Sequence, residues 1–189
     1  MKLIGIGGTN GSGKDSLGQF LANENDWLFI SVSDILRDGL KNEGKPIERD
    51  NLRELSARWR RQFGHGVLID KAFQLYGAKE DKYNGLAIAS LRNPGEADEI
   101  HKLGGKVAWL DADPKLRYQR IYSRQRSGED KKSFEQFLAE EAAEQHHSED
   151  EATLSWQGVK DRADFFITND NNDIEEFKQI AKKVLKPIL

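Results

Sequence analysis

Apolar residues in this chain fall into a few short unbroken runs, separated by longer stretches in which they recur every three or four positions. That alternation predicts short buried strands joined by amphipathic helices. The runs are Leu3-Ile4-Gly5-Ile6, Trp27-Leu28-Phe29-Ile30-Ser31-Val32, Leu86-Ala87-Ile88-Ala89-Ser90-Leu91, Val107-Ala108-Trp109-Leu110 and residues 164–168. Helices are predicted over about 14–22, from a Ser33-Asp34 cap to about 41, over about 50–62 with Leu52, Leu55, Trp59 and Phe63 in register, and over 67–76. Gly44-Lys45-Pro46 breaks the chain between the second and third of these, and residues 79–84 read as a surface loop. A further helix starts at Asn93-Pro94-Gly95-Glu96 and stops at Gly104-Gly105, and another starts at Asp113-Pro114. Residues 125–132 are polar and contain glycine, an acidic helix spans about 133–147, an irregular acidic linker comes next, and the last helix covers about 174–185. No repeat or low-complexity segment interrupts the pattern.

Five apolar strands with helices between them predict an α/β fold, a five-stranded parallel sheet with helices on both faces, because parallel strands need crossovers and burial on both sides. Ligands of such sheets bind beyond the carboxyl ends of the strands. That rule directs attention to Gly8 to Ser16, to Ser33, Asp34 and Arg37, to Arg92, and to Asp111 and Asp113.

Composition changes the picture only by exclusion. A chain of 189 residues predicts one domain. A net charge of -3 gives no footprint for nucleic acid or a membrane surface and is otherwise uninformative about partners, and neither of those is expected. No stretch has the roughly 18 apolar residues of a membrane span, so the expectation is a soluble cytoplasmic protein, monomer or homodimer. The absence of cysteine excludes disulfides, thiolate metal sites and a cysteine nucleophile. The four histidines show no metal-ligand spacing, and no zinc is assigned.

The candidate chemistry begins with Gly8-Thr9-Asn10-Gly11-Ser12-Gly13-Lys14-Asp15-Ser16, which fits G-x-x-x-x-G-K between a strand and a helix. In that context it is a phosphate-binding loop. Glycines let its backbone N–H groups point inward, Lys14 reaches the β- and γ-phosphates, and the helix N-terminus adds a positive dipole end. Asp15 stands where a hydroxyl normally ligates magnesium, and Ser16 comes one place late. Asp15 is either a metal ligand or a favourable first-turn charge. Arg49, Arg53 and Arg60 lie within roughly 40° of one another on their helix and could line an anion pocket. Arg117, Arg120 and Arg124 share a face of the helix that leads into 125–132, which suits a lid closing over phosphates. Either set could instead be a solvated charged face. Asp34 is the carboxylate best placed to orient an acceptor hydroxyl or the metal shell, with a plain helix cap as its alternative, and Arg37 could hold the acceptor's phosphate. The third strand ends in Ser90-Leu91-Arg92 with no acidic residue, so metal contacts are expected from Asp15, Ser16 and Asp34.

The loop, the segment Ser31-Val32-Ser33-Asp34-Ile35-Leu36-Arg37, Arg92, and the arginine-rich helix before a lid resemble the nucleoside monophosphate kinase-like branch of P-loop kinases. The chain is also similar to dephospho-CoA kinases and related nucleotide kinases, through 107–113 with Pro114, Arg117 and Arg120, and through the ending Ala163-Asp164-Phe165-Phe166-Ile167-Thr168-Asn169. Lys14-Asp15-Ser16 resembles the variant loop of phage-type deoxynucleoside monophosphate kinases. The resemblance implies a P-loop NTPase fold with a helical acceptor-binding insert at about 34–78 and a helical lid at about 117–148. It implies ATP and Mg2+, with transfer to a small phosphorylated acceptor, a nucleoside or deoxynucleoside monophosphate. Dephospho-CoA as acceptor, or nucleotide binding without turnover, are the alternatives. By the same likeness Arg37 and Arg92 bind the acceptor's phosphate, Asp34 is the acceptor-side carboxylate, Arg120 and Arg124 act from the lid, and Asn169 lies near the donor base, while Arg53 is placed in the substrate site by its helical spacing alone.

Overall fold

The computed structural model describes residues 2–124 and 132–189, apart from the side chains of Glu80 and Arg124. All five predicted strands are present: β1 (Lys2–Gly8), β2 (Trp27–Ser31), β3 (Gly85–Leu91), β4 (Lys106–Asp111) and β5 (Phe165–Thr168). They form one parallel sheet in the order β2-β3-β1-β4-β5. The first strand in sequence is therefore central, with its loop at the middle of the sheet's carboxyl edge.

The helices are α1 (Lys14–Asn25), α2 (Val32–Asn42), α3 (Arg49–Phe63), α4 (Val67–Gly77), α5 (Pro94–Lys102), α6 (Pro114–Arg124), α7 (Phe134–Ala143), α8 (Trp156–Lys160) and α9 (Ile174–Leu185). They bury the sheet from both sides. Leu86, Ile88, Val107 and Trp109 face the layer that includes Leu36, Leu55, Leu68, Ile100 and Val159. Ala87, Ala89, Ala108 and Ile167 face the opposite layer, with Leu17 of α1 and Phe177 of α9. Two apolar faces on nearly every strand are the reason the runs were continuous rather than alternating.

Three sequence expectations need correction. Ser33-Asp34 does not cap α2: β2 ends at Ser31 and the chain turns directly into helix, so Ser31 is the N-cap and Asp34 sits in the first turn. The acidic helix stops at Ala143 rather than near 147. The segment expected to be an irregular linker contains α8, whose Ser155 cap accepts from Gly158 N at 3.3 Å and whose Val159 is fully buried against the sheet. Five residues are too few to show a 3.6-residue period, so α8 left no pattern to find.

The end of β3 is irregular. Ile6 pairs with Ala89 but Gly7 pairs with Leu91, so Ser90 is an extra residue on that strand, held at φ 72°. This is a β-bulge, and it changes which face the next side chains meet. Leu91 joins the same layer as Ile88, although they are three residues apart.

Candidate active site

A cavity of about 920 Å³ opens over the carboxyl edge of the sheet, lined at one end by the loop residues Gly11, Gly13 and Lys14 and at the other by Asp34, Arg37 and Arg92.

Backbone geometry builds the loop end. Gly8 has φ 151°, Gly13 has φ 105°, and a Cβ on Gly8 would stand 2.4 Å from the carbonyl oxygen of Leu110. A Cβ on Gly13 would stand 2.6 Å from Nδ2 of Asn169. Only glycine fits either place. The loop is braced within itself, from β4 and from the residue after β5. Ser12 Oγ donates to Thr9 O at 2.9 Å, Thr9 Oγ1 donates to Asp111 at 2.7 Å, and Asn169 Nδ2 donates to Ser12 O at 2.8 Å. Gly13 begins α1 with no side-chain cap, and Asp15 and Ser16 of its first turn line the cavity. A helix start without a side-chain acceptor is a ready anion site.

Lys14 is buried and donates to Gly8 O at 2.9 Å and Thr9 O at 2.6 Å. Burial, and after it the positive charges of Arg92 and Arg117, pushes its pKa from 10.5 down to about 7, while Asp15 and Glu141 pull the other way. The loop thus presents a desolvated lysine with Arg92 and Arg117 nearby. A polyphosphate is the complement of that field, and the glycine cradle gives it room.

The predicted lid arginines divide. Arg117 is buried beneath the loop, not exposed over it: Nε donates to Ala112 O at 2.8 Å, Nη1 to Asn10 O at 3.3 Å, and its guanidinium makes a two-pronged pair with Glu141 of α7. Arg120 reaches Gly11 O at 3.3 Å and Asn169 O at 3.0 Å and lines the cavity. The side chain of Arg124 and residues 125–131 of the expected lid lie outside the described residues.

Side chains build the far end. Asp34 and Arg37, one helical turn apart on α2, pair at 2.7 Å and both line the cavity. Arg92, directly after β3, donates to Glu144 at 3.0 Å and also bonds Asn10 Oδ1. Of the three arginines expected on one wall, Arg49 lines the main cavity. Arg53 lines a neighbouring cavity of about 500 Å³ that shares Arg49 and Lys132 with the first. Arg60 belongs to neither and corrects the expectation of a shared wall: it is 1% exposed and pairs with the fully buried Glu96 at 2.7 Å. Helical spacing gave the right face, but the deep end of that face packs into the core.

Sequence reasoning missed the glutamates. Glu96 accepts from Arg92 N at 2.7 Å and Asn93 N at 3.1 Å, closing the capping box that starts α5 and fixing the loop that carries Arg92. Glu144 is buried and takes Arg49, Arg53 and Arg92 together. Burial raises its pKa, but the charges of Arg92 and Arg49 and the hydrogen bonds from Arg49 and Arg53 outweigh that, holding it at about 2 instead of 4.5. The Asn93-x-x-Glu96 spacing was a usable signal for Glu96. Nothing local marks Glu144 among its acidic neighbours. Among the described residues no cluster of three or more His, Asp or Glu could by itself hold a metal. Asp15, Ser16 and Asp34 nevertheless face one cavity, and magnesium needs only one or two carboxylates beside phosphates and water.

Residues 4–159 match the family model described as AAA domain. The chain is 32% identical over 190 residues to a UPF0200 protein of Sulfurisphaera tokodaii, covering 100% of this chain and 98% of that one. Among solved structures, shikimate kinase from Bacteroides thetaiotaomicron aligns over 98% of both chains with a TM-score of 0.61 at 16% identity. Dephospho-CoA kinase from Campylobacter jejuni aligns over 100% of this chain and 98% of its own, with a TM-score of 0.52 at 21% identity. The fold is that of P-loop kinases, as the loop and sheet led us to expect.

Proposed function

The chain belongs to the AAA domain family and to the UPF0200 proteins, and from that premise we propose that it is a small-molecule kinase using ATP and magnesium. Its acceptor is a nucleoside or deoxynucleoside monophosphate. The observation that carries this reading is the single cavity with a phosphate loop at one end and Asp34, Arg37 and Arg92 at the other. Phosphoryl transfer asks for that division: a cradle for the donor, positive charge on the transferring group, and a carboxylate near the acceptor hydroxyl.

In this reading Gly8 to Ser16 hold the donor phosphates, Lys14 draws charge from the transferring group, and Asn169 lies near the donor base. Asp34, the acceptor-side carboxylate, orients the acceptor or the metal shell, while Arg37, Arg53 and Arg92 hold the acceptor's phosphate. Arg120 and Arg124 act from the lid at about 117–148, and the helices at about 34–78 form the acceptor wall. Magnesium, held by Asp15, Ser16 or Asp34, supplies positive charge between phosphate oxygens when bound. A cytoplasmic setting suits an ATP-dependent reaction.

Two other readings have an observation in their favour. The second cavity beyond Arg49 gives room for a larger acceptor such as dephospho-CoA. The absence of a carboxylate at Ala89-Ser90, where β3 meets the cavity, favours nucleotide binding without turnover. One assay separates all three: ADP release from ATP and magnesium against nucleoside monophosphates, deoxynucleoside monophosphates and dephospho-CoA. Stimulation by a monophosphate supports the proposal, and stimulation by dephospho-CoA alone replaces it with the first alternative. ATP binding with no stimulated release by any of them replaces it with the second.

A further inference from the structure

Among the described residues, other buried glutamates each take one arginine. Glu96 takes Arg60, and Glu141 takes Arg117. Glu144, the C-cap of α7, departs from that rule. Arg49 reaches its Oε1 through Nη2 at 2.6 Å and Nε at 3.2 Å, Arg53 reaches the same oxygen at 2.6 Å, and Arg92 reaches Oε2 at 3.0 Å. Glu140 and Asp50 also touch Arg49 and Arg53, at 2.8 and 3.3 Å, but both are solvent-facing and screened. At the desolvated centre stands one carboxylate among three guanidinium forks from two distant parts of the chain.

One negative charge does not need three arginines. A phosphate monoester does, because it carries up to two charges and three acceptor oxygens, each able to take a fork. The cluster also lies where such a group would enter. Arg49 and Arg92 line the main cavity, and Arg49 and Arg53 line the neighbouring one, so the arginines that hold Glu144 face both. Its backbone is pinned independently of its carboxylate: Trp156 N donates to Glu144 O at 3.1 Å, and Trp156 Nε1 donates to Glu141 O at 3.0 Å. The side chain can leave the arginines while α7 stays in place.

We propose that Glu144 is an internal occupant of an anion site formed by Arg49, Arg53 and Arg92, and that the phosphate monoester of the acceptor displaces it. The identity of the anion as the acceptor's phosphate rests on the kinase reading above. The anion site itself does not. Displacement exchanges a monoanion for a dianion, which matches more of the arginine charge at the buried centre than the carboxylate does. Glu144 thereby excludes smaller or singly charged anions, which compete poorly with a tethered carboxylate.

The test uses inorganic phosphate as probe, titrated by calorimetry into the full chain carrying Lys14→Ala, which weakens the loop site, with and without Glu144→Gln, so that whatever the loop still binds is common to both and the gain is read from their difference. The expected result is at least a tenfold gain in phosphate affinity with Glu144→Gln, abolished when Arg53→Ala is added. Equal or weaker binding with Glu144→Gln overturns the proposal. Thermal unfolding guards against a folding defect. Glu144→Gln should lower the midpoint in chloride and recover it in phosphate at equal ionic strength, and a lowered midpoint that phosphate does not restore also overturns it. Should Glu144→Gln fail to fold, Glu144→Asp, which withdraws the carboxylate by one methylene, must show a smaller gain of the same sign, and no gain overturns the proposal. A phosphate gain alongside no acceptor-stimulated ADP release upholds the anion site and removes the kinase reading. Stimulated ADP release without the gain removes this inference alone.

Discussion

The two ends of the cavity bind charge by different means. At the loop end the positive field comes largely from backbone, shaped by Gly8 and Gly13 and by the uncapped start of α1, and Lys14 donates to carbonyls. At the arginine end the field comes from side chains, and a carboxylate already answers it. A backbone cradle can stay open because its donors cannot rotate away. Three long side chains would scatter by repulsion unless something held them, and Glu144 does so. The first end is set by nine consecutive residues, the second by positions from Arg49 to Glu144.

Perturbing each end separately should expose that difference. The largest effect is expected at the loop: Lys14→Ala should lower phosphoryl transfer by about a thousandfold or more while leaving the protein folded, since the lysine acts on charge and not on packing. Turnover assays with a circular dichroism control check this, and unimpaired turnover would remove the phosphate-loop assignment. At the other end, Arg60→Met should cost about 3–5 kcal/mol by leaving Glu96 buried and unpaired. Chemical denaturation measures it. Because Glu96 also holds the Arg92 backbone, the surviving folded protein should bind the acceptor more weakly at unchanged ATP affinity.

Acidity distinguishes the ends as well. Lys14 has a folded pKa of about 7 against 10.5 unfolded, so between those values the unfolded chain holds more protons and stability rises with pH. The ligand-free protein should therefore gain up to about 1.4 kcal/mol per pH unit in that window relative to Lys14→Met, which lacks the group. Glu144 has the same sign in a lower window: its folded pKa is also depressed, so its contribution is complete above 4.5 and lost as pH falls toward about 2. Denaturation across pH, wild type against Lys14→Met and Glu144→Gln, reads both limbs, and parallel curves would contradict them. The smallest effect is expected at the bulge. Ser90→Gly should change stability by at most about 1 kcal/mol, because relief of a positive φ is offset by the greater freedom of glycine when unfolded. A midpoint shift of several degrees in either direction would show that the Ser90 side chain matters in its own right.

These contrasts also explain what the sequence could disclose. Strands and loop were legible because each is a local pattern: 86–91 is an unbroken apolar run, and Gly8 to Lys14 is a spacing rule. Arg37, Arg92 and Asp34 were legible by position, since parallel sheets bind ligands at strand ends. Arg60 was misplaced because helical geometry gives a face but not its depth. Glu144 was invisible because its partners lie 52 to 95 residues away. The Ser31 cap was missed because Ser33-Asp34 is equally good capping chemistry, and only the length of β2 decides between them.

Ser90 has one more consequence, which concerns counting. Side chains on a strand alternate between faces, so every residue carries a parity, and the bulge inserts a single step that reverses it for the residues beyond. Leu91 reaches the layer of Ile88 only because of that step. Deleting Ser90, rather than replacing it, would send Leu91 to the wrong layer and turn Arg92 away from Glu144 together. One missing codon would thus undo what no single substitution at that position could, and relatives that share the Arg92 geometry must keep the spacing whether or not they keep the serine.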